Sequence, residues 1–535
     1  MRPNKGLTLA IVLALPIAGC DDDFLTAVPP DQISDAVFWT QQKDAVLAVN
    51  ALYPQNFGPD LVVRMEAAGD NGWAQKSFDE WYPVGRGIAN STTGATANFW
   101  NTSYSAIRRA NEILVNIDRI PQIDAALKER LKAETHFHRA YHYNLLVNLF
   151  GDVPLILAPI TLAEGRALTR TARAEVVQQI LSDLDVAINV LPLSFGGADR
   201  GRATRGAALA LKARAALYAA GWEQNHGGSQ ANASALYRTA ADAAGAVRDL
   251  GVYGLQANYA DLTRYAANNS NEIVFADLRV KNGRGHGSFG WLAPRSLQGG
   301  SDVTPLRALV DAYQMNDGLP TSQSPLFDPN NPYVNRDPRM YATLLYPGAT
   351  FGDITYNSLP GSGTPDEVRN DFNATSTGYQ FIKYVDLADR NDRGNSGIHF
   401  ILIRYADVLL MYAEAKLELN ELEGTVNDAI NQVRTRAGMP AVAAGLSQAE
   451  LRDLVRYERR VEFAMEGLRI FDIRRWKIAE QVMPGQHLGI DYMEGGQKQT
   501  IPADNRVFNP ARDYLWPIPN TEIELNSSMT QNPGY

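Results

Sequence analysis

The stretch RYADVLLMYAEAKLELNELEGTVNDAINQVRTRAGMP, residues 404–440, decides the fold. Apolar residues recur at helical spacing over 408–417, pause at Glu423-Gly424 and resume over 426–433. Gly438 and the proline that closes the stretch are helix stop signals, and Ser447 followed by Glu450 is a capping box that predicts the start of a third helix. The pattern predicts a helical hairpin of about 34 residues, the length of one tetratricopeptide-type unit.

The same layout occurs earlier in the chain. LALKARAALYAAG (209–221), a polar loop and ALYRTAADAAGAV (235–247) again give helix, break and helix. A single hairpin cannot bury its own apolar face, so neighbouring hairpins must supply the rest of the core. The sequence therefore predicts a mostly α fold, a scaffold of stacked tetratricopeptide-like hairpins.

The remaining segments predict a covering on one face of this scaffold. Residues 273–278 (IVFADL) are typical of a strand, and helices are expected again over 401–479. Lys281–Gly300 and 316–378 are rich in Gly, Pro and Asn, which predicts loops and short strands. The last 55 residues are expected to be loop-like. Without a clean linker, 535 residues with 45% apolar content predict one interwoven domain over 35–535.

Residues 1–19 have the pattern of a signal peptide. Arg2 and Lys5 precede an apolar run that is too short to span a membrane comfortably. The run ends Ile-Ala-Gly-Cys20, which resembles a bacterial lipoprotein cleavage box, so we expect lipid to be attached to Cys20. Residues 20–34 would then form the lipidated cysteine and an extended tether. Since Cys20 is the only cysteine, the chain cannot form an internal disulfide.

The charge of the chain disfavours polyanionic partners. The formal net charge is -9, and loss of Arg2 and Lys5 with the signal peptide makes it -11. An acidic surface disfavours nucleic acid, and it weakly disfavours sulfated or uronate-rich glycans unless a local basic patch is present.

The search for catalytic and metal-binding motifs identifies no cofactor or metal site. His138 and His142 have the spacing of a zinc pair on a helix, but the glutamate of the H-E-x-x-H motif is absent. The glycine-rich segment 283–287 lacks the ending of a phosphate-binding loop, and no G-x-S-x-G elbow occurs. Arg452–Arg475 interleaves arginines with glutamates, which predicts a salt-bridged helix face and not a nucleic-acid footprint.

Aromatic residues in predicted loops are the candidate ligand site. Aromatic faces bind the apolar C–H faces of sugar rings, while nearby charged groups fix the hydroxyls. An alternative is that the same aromatics pin loops onto the scaffold. The candidate ligand-binding residues are Asp70, Trp73, Trp81, Tyr82, Phe289, Trp291 and Arg295.

Motifs spread over nearly the whole chain resemble the SusD/RagB family of Bacteroidetes outer-membrane lipoproteins. Their order and spacing carry the resemblance. They are CDDDFL (20–25), PPDQISDAVFW (29–39), YSAIRRAN (104–111), NLFGDVPL (148–155), RYADVLLMYAEA (404–415), ERRVEFAMEGLR (458–469), YLWPIP (514–519) and TQNPGY (530–535).

The resemblance implies four tetratricopeptide-like hairpins, with an N-terminal SusD-like part over about 35–250 and a C-terminal SusD/RagB part over about 270–535. It also implies a surface-exposed lipoprotein of the outer membrane that captures oligosaccharides without catalysis. Such a protein passes them to a SusC-like TonB-dependent transporter. The RagB branch suggests an alternative, a peptide-binding uptake lipoprotein. The family's ligand residues lie in variable loops, so none is transferred to this chain.

Replacement of Cys20 tests the predicted anchor. We expect the full-length chain, expressed in a Bacteroidetes host, to carry a mass increase of covalent lipid on Cys20 and to sediment with outer membranes. Cys20→Ser should abolish the mass increase and shift the protein to the soluble fraction. Intact-mass spectrometry and membrane fractionation measure both effects. An unmodified Cys20 in the wild-type protein would contradict the prediction.

Overall fold

Nine helices of nine or more residues organise the part of the chain described by the computed structural model, residues 38–535. The predicted signal peptide, Cys20 and the tether lie outside the described residues. The nine are α1 (Gln42–Asn50), α2 (Gly94–Asn116), α3 (Ala125–Phe150), α4 (Arg173–Val190), α5 (Arg205–Asn225), α6 (Gln230–Asp249), α7 (Tyr405–Glu418), α8 (Gly424–Arg436) and α9 (Gln448–Glu462).

Shorter elements fill the connections. Short α-helices are Gly58–Val62, Tyr82–Arg86, Leu162–Gly165, Ser288–Leu292, Arg307–Ala312, Pro338–Thr343, Arg469–Arg475, Ala479–Val482 and Asn520–Leu525. Turns of 3-10 helix are Tyr53–Gln55, Arg64–Ala68, Ile117–Arg119, Gly197–Asp199, Tyr259–Asp261, Tyr265–Ala267, Arg295–Leu297 and Leu387–Asp389. The strands are β1 (Gly72–Ala74), β2 (Ile273–Asp277), β3 (Val303–Pro305), β4 (Leu344–Leu345), β5 (Thr350–Phe351), β6 (Ile354–Thr355), β7 (Gln380–Phe381), β8 (Phe400–Arg404), β9 (Gly485–Glu494) and β10 (Gln497–Arg506).

Local signals in the sequence set the ends of the long helices. Asp124 caps α3 by accepting a hydrogen bond from the Leu127 amide at 2.8 Å, and Ser447 with Glu450 forms the predicted capping box of α9. Gly151 ends α3 with φ of +78°, a left-handed conformation that glycine adopts at little cost.

The long helices form a single-file stack. From α2 to α8, each helix packs against the next one along the chain, which confirms the predicted mostly α scaffold of helical hairpins. Small side chains permit close packing between α5 and α6, where Ala213, Ala216, Ala240 and Ala244 are completely buried. One hydrophobic cluster extends through this stack and includes buried residues from Phe57 to Met529.

The chain leaves the stack after α6 and returns at α7. The intervening residues 250–404 form loops, short helices and seven short strands, and β2 pairs antiparallel with β8 just before the return. The predicted strand over 273–278 is therefore confirmed as Ile273–Asp277. The helix expected from residue 401 begins instead at Tyr405, because 400–404 pairs with β2.

The C-terminal region contains a hairpin that the sequence analysis missed. Strands β9 and β10 pair antiparallel over ten residues each, so the loop-like expectation for the last 55 residues is wrong over 485–506. Gly495 and Gly496 join the strands with φ of +57° and +79°, the conformation of a tight hairpin turn. The Gly-Gly pair was the available signal, and the polar outer face of both strands concealed it.

The glutamates Glu458 and Glu462 of α9 form ion pairs with arginines on other elements and not with arginines on the same helix face. Arg339 is fully buried and donates from Nη1 to Glu458 Oε2 at 2.8 Å and to Glu462 Oε2 at 3.0 Å. The predicted pairing along one helix face is therefore wrong for these glutamates. The pattern did not reveal that their arginines lie on other segments.

A second buried arginine extends this network. Arg404, at the end of β8, donates to Glu272 Oε1 at 2.8 Å, Glu462 Oε1 at 2.6 Å and Glu466 Oε2 at 2.7 Å. Burial alone would raise the pKa of Glu462. The guanidinium groups of Arg436, Arg404 and Arg339 outweigh burial and hold that pKa far below its usual range. Glu462 therefore stays ionised inside the protein.

Replacing one arginine of this network tests how much the network contributes to the stability of the fold. Arg404→Met leaves three buried carboxylates short of a partner, so we expect the free energy of unfolding to fall by about 3–5 kcal/mol. Arg390→Met is the matched control, because the Arg390–Asp353 pair is exposed and should leave the urea midpoint unchanged. Urea unfolding followed by far-UV circular dichroism compares the two. Equal midpoints would contradict a structural role for the network.

Candidate functional site

Four of the seven predicted site residues are buried in the fold. Phe289 is fully buried on the short helix Ser288–Leu292, and Trp73 packs with Leu306 and Ala503. Trp81 is 3% exposed and makes edge contacts with Phe99 and Trp516, whose ring centroids are 5.9 and 6.2 Å away. These positions favour the alternative interpretation, in which aromatic side chains pin loops onto the scaffold. Of the three, Trp81 is also among the residues that line the cleft described below.

Asp70, the fourth, is held by two arginines. Arg469 forms a double hydrogen bond with it at 2.7 and 3.0 Å, and Arg460 Nη2 lies 2.9 Å from its Oδ2. Burial would raise the pKa of Asp70, but both guanidiniums outweigh burial and lower it strongly. Asp70 thus ties the loop before β1 to α9 and the helix Arg469–Arg475, which again corrects the ligand-binding expectation.

The other three predicted residues are partly exposed. Tyr82 accepts a hydrogen bond from Arg86, whose guanidinium lies 4.9 Å from the tyrosine ring centroid. Arg295 donates from Nε to Asp371 Oδ2 at 2.7 Å. Trp291 lies beneath Arg64, whose guanidinium carbon is 5.4 Å from its ring centroid.

Two exposed phenylalanines form a stacked aromatic pair, which we call the aromatic ledge. Phe78 and Phe372 are 72% and 62% exposed, and their rings stack at 5.6 Å with 22° between planes. They are 294 residues apart in sequence, so the ledge exists only in the folded chain. Two nearly parallel rings, each largely exposed, offer enough aromatic surface to contact a sugar ring.

Charged groups connect the ledge to the loops around it. Lys76 Nζ lies 5.0 Å from the Phe372 ring centroid and donates to Asn373 Oδ1 at 3.0 Å. The same ammonium forms an ion pair with Asp302 at 2.7 Å. These contacts fix the loop that carries Phe372 against the segment that carries Phe78.

A cleft of about 440 Å³ opens beside the ledge. We call it the ledge cleft, and Phe78, Trp291, Arg64, Lys76 and Asp60 are among the residues that line it. Burial raises the pKa of Asp60, and Arg64 opposes this shift only in part. Carboxylate, ammonium and guanidinium groups beside aromatic faces are suited to hydrogen-bonding a polyhydroxylated ligand.

The histidine pair of α3 lies in the core. His138 and His142 are completely buried, and burial lowers the pKa of His142 to about 3, so both rings are neutral. Within residues 38–535, no group of three or more His, Cys, Asp or Glu side chains is placed to hold a metal ion.

The sequence analysis overlooked Phe372 and Lys76 and left Phe78 outside the candidate set. Phe372 stands alone in Asn-Asp-Phe-Asn, within a segment already predicted to be loop. A lone aromatic in a polar loop was the available signal for Phe372, whereas Phe78 is followed closely by Trp81 and Tyr82. The contact between them could not be read from local spacing.

Comparison with known proteins identifies the family to which this chain belongs. A model described as the SusD family matches residues 256–535, and a model described as starch-binding associating with outer membrane matches residues 30–217. The chain belongs to the SusD family. Within the described residues, no helix is both long and apolar enough to cross a membrane.

Individual SusD-family proteins are similar over nearly their whole length. SusD-like protein P2 of Formosa agariphila is 26% identical, over 98% of each chain. A SusD-like carbohydrate-binding protein of Bacteroides fragilis has a TM-score of 0.83 and 28% identity, and the match covers 92% of this chain and all of that one. A laminarin-binding SusD-like protein, 23% identical with a TM-score of 0.66, shares the fold over 93% of this chain.

Paired substitutions separate the buried aromatics from the ledge. Trp81→Ala removes a core side chain, so we expect the free energy of unfolding to fall by about 3–5 kcal/mol. Phe78→Ala removes an exposed ring and should change it by less than about 0.5 kcal/mol. Urea unfolding of both variants provides the measurement. A Trp81→Ala variant as stable as Phe78→Ala would show that Trp81 is not a core residue.

Proposed function

We propose that this SusD-family protein is a lipid-anchored, surface-exposed, non-catalytic protein that captures neutral oligosaccharides at the outer membrane. It then passes them to a SusC-like TonB-dependent transporter. The family supports carbohydrate binding and outer-membrane association, and the finer assignments are part of the proposal.

The aromatic ledge carries the proposal. Removing an aromatic ring from water is strongly favourable, yet most of the Phe78 side chain and most of the Phe372 side chain are exposed. The stacking holds them in one orientation, with Lys76 fixing the second loop. A ligand with flat apolar faces would cover the ledge and recover that burial energy, and sugar rings have such faces.

The charge of the ledge cleft favours a neutral glycan. Its lining includes two cationic side chains, Arg64 and Lys76, and four carboxylates: Asp60, Asp79, Glu80 and Asp302. Both cations are already paired, Arg64 with Asp79 at 2.8 Å and Lys76 with Asp302 at 2.7 Å. A sulfated or uronate unit would face a net negative lining, whereas hydroxyl groups can donate to these carboxylates.

Electrophoresis through glycan-containing gels tests the proposal. We expect full-length protein in detergent to be retarded in native gels cast with a neutral polysaccharide, in a panel that includes laminarin because a structural neighbour binds it. Phe372→Ala should weaken that retardation at least tenfold, about 1.4 kcal/mol of binding free energy. The expected loss comes from removing half of the ledge.

Leu162→Ala is the control, since Leu162 is an apolar side chain as exposed as Phe78, at 72%, and lies outside the cleft. It should leave retardation unchanged. Retardation by polyanionic polysaccharides alone would overturn the neutral-glycan assignment. Binding of peptides in place of every glycan would favour the RagB-type alternative. Release of shorter fragments from the polysaccharide would contradict the non-catalytic role.

A further inference from the structure

A second, separate cavity lies between the turn after α1 and strand β2. It measures about 230 Å³, and we call it the arginine cavity. It shares no lining residue with the ledge cleft. Its volume corresponds to about seven water molecules, which is room for one monosaccharide-sized ligand. The lining residues used in the argument are Asn56, Arg200, Arg202, Asp277 and Arg284.

Asn56 is the first sign of a ligand. The residue is 1% exposed, and neither its Nδ2 nor its Oδ1 has a hydrogen-bond partner. Its backbone is fully engaged, because the carbonyl accepts from the Tyr141 hydroxyl at 2.9 Å and the amide donates to the Tyr53 carbonyl at 3.3 Å. An unpaired buried amide costs about 1–3 kcal/mol. Asn56 thus carries an unpaired side-chain donor and an unpaired side-chain acceptor, and it is one of the residues that line the cavity.

The charge of the lining is the second sign. Three guanidiniums line the cavity against one carboxylate, Asp277. Asp277 is already paired with Arg279 and Arg284, while Arg202 is paired with Glu134 at 2.9 Å and with Asp199.

Arg200 carries a positive charge that none of these carboxylates compensates. Arg130 also bonds Asp199 and Glu134, so each carboxylate near the cavity is already paired with other arginines. Arg200 is exposed at the cavity. Its Nη2 donates to the Asn268 carbonyl at 2.6 Å, and it has no carboxylate partner in the described part of the chain.

We propose that the arginine cavity binds a monosaccharide-sized sugar acid. The carboxylate would pair with the Arg200 guanidinium, which offers two parallel N–H donors to a planar carboxylate. The Asn56 amide would accept from one sugar hydroxyl and donate to another oxygen, since it carries both functions side by side. A neutral sugar would leave the surplus charge unpaired. The cavity therefore complements the ledge cleft, whose lining is negative.

Calorimetric titration of full-length protein in detergent with galacturonic acid, at low ionic strength, tests this site. We expect saturable binding that weakens as salt is added, and galactose should bind at least tenfold more weakly because it lacks the carboxylate. Arg200→Gln and Asn56→Ala should each weaken galacturonate binding at least tenfold. Arg200→Gln changes an exposed side chain, so it remains informative if Asn56→Ala fails to fold.

Two control variants separate this site from the rest of the surface. Arg166→Gln removes an exposed arginine outside the cavity and should leave the affinity for galacturonate unchanged. Phe372→Ala should weaken neutral-glycan retardation and leave galacturonate binding intact, so failure of one proposal does not imply failure of the other.

Four outcomes would overturn the proposal. They are no heat of binding with galacturonate, equal binding of galactose, equal binding of inorganic sulfate, and an Arg200→Gln affinity equal to wild type. Equal binding of sulfate would mean that the cavity takes any small anion and does not recognise a sugar acid.

Discussion

The buried carboxylate of Glu462, shared among the guanidiniums of Arg339, Arg404 and Arg436, is the interaction on which the rest of the structure depends. A charge removed from water must be paired, because an unpaired one costs several kcal/mol. The three arginines come from a short helix, a strand and α8, so their segments can pack around α9 in few ways. The network therefore fixes how the covering segments sit on the helical stack, beyond what apolar packing alone specifies.

The residues of the buried network stabilise the fold, and they are different from the residues proposed to recognise the ligand. Residues near the network are buried and paired, and several predicted ligand residues are of this kind: Asp70 joins the arginines of α9 and its neighbour. The aromatic ledge lies on loops outside it, which Lys76, Gln75 and the two stacked rings hold together. Recognition by surface loops on a rigid scaffold lets the loops change without loss of the fold.

Periodicity predicted the helical scaffold because burial of one helix face leaves a regular trace in the sequence. The capping box at Ser447 and the strand over 273–277 were predicted for the same local reasons. Sites formed by residues that are distant in sequence leave no such local pattern. The sequence shows Trp81 in a Gly- and Asn-rich loop but not the packing of that loop over Phe99 and Trp516. The ledge needs two loops to meet, which no local pattern records.

The single-file stack has a consequence for how the chain is made. Helix α6 ends at Asp249 and its neighbour α7 begins at Tyr405, so more than 150 residues separate two adjacent members of the stack. During synthesis α2 to α6 can pair in order, but the face of α6 that α7 covers stays open until the whole excursion has been produced. That interval is when the nascent protein exposes a helical apolar face, and it is the stage at which a chaperone would protect it from aggregation.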